Sequence, residues 1–223
     1  MKKQGIVPEP VEPSATEPAR LPRVLVGAKF VTGVASRAQL PAAEVPEIAF
    51  AGRSNAGKSS AINALANRTR LAFASRTPGR TREINLFELA RGGRVADLPG
   101  YGYAAVARGV KEGWQAFLWD YVTTRSTLVG LVLVADARHG LRELDYTLLD
   151  RFIPSGRPVL VLATKSDKLN QSAQRDAARR IREQIAGRYP LHAATVTVVP
   201  FSATRRTGID AADAVLAEWL GIA

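Results

Sequence analysis

Gly52-Arg53-Ser54-Asn55-Ala56-Gly57-Lys58-Ser59 carries glycines at a fixed spacing and ends in a lysine and a hydroxyl, the G-x-x-x-x-G-K-[ST] phosphate-loop pattern. A polyphosphate needs such a segment because successive backbone N–H groups and a helix N-terminus concentrate positive potential, while glycines let the backbone wrap closely. In that role Lys58 reaches the β- and γ-phosphates of a nucleoside triphosphate and the Ser59 hydroxyl binds Mg2+. An apolar run precedes the loop and Ser60 to Asn67 read as a helix, so the motif has its strand and its helix. A chance glycine-rich turn is the competing reading and leaves both flanks unexplained.

Three further segments complete a nucleotide site. Asp97-Leu98-Pro99-Gly100 follows an apolar strand and matches D-x-x-G, in which Asp97 is expected to hold Mg2+ through water and the Gly100 N–H to bond the γ-phosphate. Thr77-Pro78-Gly79-Arg80-Thr81 lies in a basic, poorly periodic stretch; one of its threonines is expected to complete the Mg2+ shell, and Thr81 is chosen over Thr77, with an ordinary turn as the alternative. Thr164-Lys165-Ser166-Asp167 resembles the N/T-K-x-D signature of the GTPases, in which the Asp accepts from guanine N1 and its exocyclic amine and the Lys lies along the base plane. Adenine has no donor pair there, so it leaves the carboxylate partly unpaired. On its own the segment also reads as a surface Lys–Asp pair. Phe201-Ser202-Ala203-Thr204 looks like the S-A-x element, with the Ala203 N–H meeting guanine O6.

These segments must be held by strands and helices that alternate along the chain. Strands are predicted at 48–51, 84–89, 94–97, 128–135, 159–163 and 195–200; the middle ones are continuous apolar runs, as expected of strands covered on both faces. Arg91-Gly92-Gly93 between two of them forces an antiparallel hairpin. The expected fold is α/β, a P-loop NTPase G domain in three layers, with a mixed, mostly parallel six-stranded sheet and one antiparallel edge strand. Core-facing helical stripes are read in Val110, Trp114, Phe117, Leu118 and Tyr121 and in Ala212, Val215, Leu216, Trp219 and Leu220. Residues 1–27, rich in Pro, Glu and Ala, read as a disordered tail, and 28–223 as the nucleotide-binding domain.

Composition narrows the class. Of 223 residues 46% are hydrophobic, with no apolar run of spanning length and no secretory signal, so a soluble, cytoplasmic, non-membrane protein is expected. The absence of cysteine excludes disulfides, Cys-ligated metal and a thiol nucleophile, and two histidines exclude a His-rich metal site. The net charge of +11 favours a nucleic-acid partner over a merely solvated surface, because the excess is clustered: seven arginines lie between Arg68 and Arg94, and Arg175, Arg179 and Arg182 line one helix face. His139 reads as solvent-facing or structural.

Taken together, GRSNAGKSS, TPGRT, DLPGYGYA, TKSDKL and FSAT resemble the EngB-type bacterial GTPases of the TrmE–Era branch, over about residues 28–223. The resemblance implies GTP and GDP binding with Mg2+, a switch acting in large ribosomal subunit assembly through ribosomal RNA, and a monomer. It also implies an alternative, a GTP-regulated interaction protein of cell division and septation. An ATP-using enzyme on the same loop leaves Asp167 unexplained. Tyr101 stands where Ras-like enzymes keep a water-orienting Gln, so unaided hydrolysis is expected to be slow. Asn55 stands where TrmE-type proteins have an Asn that holds K+ against the phosphates, and the same role is expected here. Thr164 replaces the commoner Asn with a shorter reach for tying base loop to phosphate loop, from which modest nucleotide affinity is expected.

Overall fold

The computed structural model describes residues 23–72, 83–101 and 108–222, with the backbone alone at 108–112 and 114. Seven strands of the described residues form one sheet: β1 (Lys29–Val34), β2 (Glu47–Gly52), β3 (Ile84–Glu88), β4 (Arg94–Asp97), β5 (Leu128–Asp136), β6 (Val159–Thr164) and β7 (Val196–Pro200), in the spatial order β1-β3-β4-β2-β5-β6-β7. β2, β4, β5, β6 and β7 are mutually parallel, and β3 runs antiparallel to β1 and β4. The mixed, mostly parallel sheet expected from sequence is therefore present, with one strand more than the six predicted. The added strand β1 is the true edge, and β3 lies inside it. β1 escapes periodicity because Phe30 and Val31 are both exposed, at 58% and 49%, so an edge strand covered on one side shows no clean alternation.

Among the described residues five α-helices cover the sheet: α1 (Lys58–Leu65), α2 (Arg108–Thr124), α3 (Glu143–Phe152), α4 (Gln171–Arg188) and α5 (Ile209–Trp219). Alternate residues of the central strands face opposite layers, as the pleat requires. Ala49, Ala51, Leu131 and Leu133 pack with Phe117, Leu118 and Tyr121 of α2, Leu148 and Phe152 of α3, and Ile181 and Ile185 of α4. Ile48, Phe50, Val132 and Val134 pack with Ile62 and Leu65 of α1 and Ala212 and Leu216 of α5.

One expectation is corrected. Val24 and Leu25 are fully buried in the second layer, the Val24 N–H donates to Asp213 at 2.8 Å and Arg23 pairs with Asp210 at 2.8 Å. The packed domain thus includes residues upstream of position 28; the run Val24-Leu25-Val26 is too short to show a period. On α4, Arg179 pairs with Asp176 and Glu183, and Arg182 donates to the Val198 carbonyl. In the other basic cluster, Arg94 meets Glu47 and the Ala42 carbonyl, and Arg91 donates to the Ile222 carbonyl.

Candidate nucleotide site

Four motifs meet at the C-terminal edge of the parallel strands, where open α/β sheets bind ligands. Gly52 closes β2, and a side chain there would put a Cβ 2.7 Å from the Val134 carbonyl. Gly57 sits at φ +100° immediately before α1, a conformation that only glycine adopts freely. The helix therefore starts at Lys58, two residues before the predicted start, and its first-turn N–H groups open onto the loop. Asp97, at the end of β4, is nearly buried and its carboxylate is paired with the Lys58 ammonium. Leu98 is in the core, its N–H bonded to the Phe50 carbonyl, which fixes where Pro99 and Gly100 emerge.

The guanine side is joined to the phosphate loop by protein atoms. The Thr164 hydroxyl lies within hydrogen-bonding distance of the Ala56 and Ala135 carbonyls and donates its one proton to either. Its shorter side chain therefore still makes the tie that an Asn makes. Lys165, held at φ +56°, extends its ammonium to the Asn55 carbonyl at 2.7 Å and to Asp136 at 3.0 Å. Burial alone would raise Asp136, but hydrogen bonds from Arg138 and Lys165 outweigh it and hold the carboxyl well below the usual carboxylate range. Asp136 carries no motif signal in the sequence, because it ends a long apolar strand as an isolated acid.

Asp167 is the acceptor at this end. The Ser202 hydroxyl donates to its Oδ1 at 2.6 Å and holds the carboxyl below its ordinary value, so it is a carboxylate at neutral pH. Ser202 also lies 3.1 Å from Thr204 Oγ1 and accepts from the Arg205 N–H, which places Ala203 between them. Phe201 is a support: its side chain is fully buried, its N–H bonds the Ala163 carbonyl and its carbonyl accepts from the buried Ser166.

At the phosphate end an unpredicted residue organises the motifs. Asp145, in the first turn of α3, has no exposed surface. It accepts from the Tyr101 hydroxyl at 2.7 Å, from Arg53 Nε at 3.1 Å and from the Arg142 N–H at 2.9 Å. Burial, and then the adjoining Asp145 carboxylate, push the Tyr101 hydroxyl well above its ordinary value, so it remains a donor. Burial likewise pushes Asp145 up, against the hydrogen bonds it receives. The Tyr101 backbone bridges in parallel with Arg53, and the Ser54 N–H donates to the Tyr101 carbonyl at 3.1 Å. Beside them a cavity of about 440 Å³ is lined by Arg53, Asn55, Tyr101, Arg142 and Leu144 among others.

The predicted residues of the phosphate loop (52–60), of D-x-x-G and of the two guanine elements are thus brought to one edge. Arg53 and Lys165 are turned onto protein partners rather than outward. Asn55 is exposed at φ +64°. Gly79, Arg80 and Thr81, with Thr77, lie outside the described residues. Hard oxygen donors at Asp97 and Ser59 suit Mg2+, which commonly takes one or two protein ligands and completes its shell from phosphates and water. Among the described residues no group of three or more acidic or histidine side chains is placed to hold a metal ion. Nor is any helix among them long and apolar enough to cross a membrane.

Comparison with known proteins gives the same answer. Residues 47–165, more than half of the chain, match the family model described as 50S ribosome-binding GTPase. A relative from Azoarcus sp. (strain BH72), named "Probable GTP-binding protein EngB", is 47% identical over 193 residues, spanning 86% of this chain and 91% of its own. A second of that name, from Cupriavidus taiwanensis, is 48% identical over 204 residues, 87% of this chain and 86% of its own. The crystal structure of a probable GTP-binding protein EngB superposes with a TM-score of 0.61 at 21% identity, over 78% of this chain and 98% of that one, a likeness of fold. The phosphate loop, the guanine reader and these relatives agree: the chain belongs to the EngB family of GTP-binding proteins and is a P-loop GTPase.

Proposed function

We propose that this GTPase is a Mg2+-dependent switch that docks on the large ribosomal subunit during its assembly and leaves after hydrolysis. The observation that carries the reading is the matched family, described as a 50S ribosome-binding GTPase. The net charge of +11 suits an RNA-rich partner. In this reading Ser59 and Asp97 hold Mg2+ and Thr81 completes its shell with GTP bound. Lys58 exchanges the Asp97 carboxylate for phosphate oxygens, and Gly100 bonds the γ-phosphate. Those contacts to Thr81 and Gly100 are made with GTP and lost with GDP, so partner affinity follows nucleotide state.

Unaided hydrolysis is slow in this reading, because the Tyr101 hydroxyl is committed to Asp145 rather than to an attacking water. Asn55, exposed on the phosphate loop, supplies an oxygen for K+, whose charge would help the transition state. Equal turnover in K+ and Na+, with and without ribosomal particles, would remove that element.

The deciding experiment is sedimentation with ribosomal subunits across GTP, GDP and salt, comparing the native chain with Asp167→Asn. The expected result is GTP-favoured association with the large subunit that weakens steeply as salt rises. Identical association with GTP and GDP would sink the switch. A protein partner that survives nuclease and high salt would favour the cell-division alternative.

A further inference from the structure

We propose that Asp145 is a positioning residue for GTP hydrolysis: its buried carboxylate clamps Tyr101, which follows D-x-x-G, to Arg53 of the phosphate loop, and so fixes the γ-phosphate end of the site.

Three observations carry the assignment. Asp145 occupies the apolar stripe of α3, on the face shared by the buried Leu148, Leu149 and Phe152, where packing alone selects an apolar side chain. A carboxylate is costly there unless specific donors meet it. One donor is local, the Arg142 N–H that Asp145 caps at the start of α3, but the two side-chain donors come from motif segments: Tyr101 lies 44 residues away along the chain and Arg53 lies 92. Among the described residues, those side chains have no other hydrogen-bond partner that could hold the two segments together. Finally, the clamp reinforces the backbone contact from the Ser54 N–H to the Tyr101 carbonyl, directly beside Gly100. A Cβ at Gly100 would stand 3.1 Å from Ser54 Oγ, so the two segments already touch.

The guanine side is tied separately. Thr164 and Lys165 join the phosphate loop at Ala56 and Asn55, and Ser202 fixes Asp167, all without Asp145. Loosening the clamp therefore moves the Gly100 N–H and the γ-phosphate environment while leaving the grip on base, α- and β-phosphate in place. Small misplacements near reacting atoms lower rate far more than ground-state affinity.

The inference rests on the GTPase chemistry of the chain and not on its ribosomal role, so the test uses the purified full chain alone. Asp145→Asn and the gentler Tyr101→Phe are compared with the native chain by single-turnover GTP hydrolysis, GDP titration and urea unfolding. In Asp145→Asn, turnover is expected to fall roughly tenfold with GDP affinity within about twofold, so that preference for GTP over GDP also declines. Tyr101→Phe should act in the same direction to a smaller extent, and the double variant should be little worse than Asp145→Asn, because the two residues share one bond. Turnover unchanged or raised in both variants would overturn the proposal. So would a loss of turnover matched by an equal loss of GDP affinity and of folding stability, which would make Asp145 a structural residue only. A native chain that binds no guanine nucleotide would instead strike at the reading of Asp167, a distinct failure visible before either variant is made.

Discussion

Glu47 and Asp145 are both buried without exposed surface, and both are satisfied by arginine and a tyrosine hydroxyl. Glu47, at the start of β2, accepts from Tyr121 at 2.9 Å and from Arg125 at 2.6 and 3.0 Å, with Arg94 at 3.5 Å. Asp145 meets Tyr101 and Arg53 just past the other end of β2 and β4. The chemistry is shared and the anchorage differs. Glu47 joins β2, α2 and β4, elements already fixed by backbone hydrogen bonds, so its network is part of the frame. Asp145 joins one helix to two motif segments whose positions depend on a few contacts. The same buried group thus braces the scaffold at one end of the sheet and sets catalytic geometry at the other.

The largest effect expected from this contrast is on stability at the Glu47 end. Glu47→Ala leaves two guanidiniums facing a vacated, buried site and should cost about 3–5 kcal/mol in urea unfolding, with the folded fraction binding GDP as before. A variant as stable as the native chain would erase the distinction. Next in size is Asp167→Asn, which should weaken GTP binding by about 3 kcal/mol, roughly a hundredfold, and shift preference toward xanthosine nucleotides. Competition titrations that leave guanine preferred would contradict the carboxylate's role. Thr164→Ala should weaken GDP binding by about 1 kcal/mol, the worth of one neutral hydrogen bond, without altering turnover at saturation. If turnover fell instead, the guanine and hydrolytic sides would not be separable.

The smallest effect concerns pH. Ser202 holds Asp167 below its ordinary value, and the charged form is the expected guanine acceptor. Removing the hydroxyl moves protonation to higher pH, so Ser202→Ala should lose GDP affinity earlier than the native chain as pH falls from about 6 to about 4. Parallel pH profiles would show that Ser202 does not tune the carboxylate. Asp136 follows the same sign in stability: held low by Arg138 and Lys165, it stabilises the fold above its unfolded value, a contribution lost only in stronger acid.

Much of the site was legible because its motifs are local: Gly57 and Lys58 declare a backbone conformation and a charge within a few residues of each other. The parallel strands were legible for a similar reason, since β5 runs from Leu128 to Ala135 without a charged or polar side chain. Asp145 was not. An acid in the first turn of a helix satisfies the helix dipole whatever else it does, and nothing nearby names Tyr101 or Arg53 as its partners. Strand β1 failed for lack of pattern, its exposed Phe30 packing edge-on against Phe87. On α4 the pairing of Arg179 was legible, since Asp176 and Glu183 lie one helical turn from it.

The bonds from Thr164 and Lys165 to the phosphate loop make the two halves of nucleotide recognition a single piece. Guanosine and tripolyphosphate offered as separate molecules meet two weak sites, but the covalent nucleotide meets both at once, its second end confined to a tiny volume by the first. The stitching keeps the spacing between those sites from drifting, and with it the chelate advantage that lets one small molecule govern the whole chain.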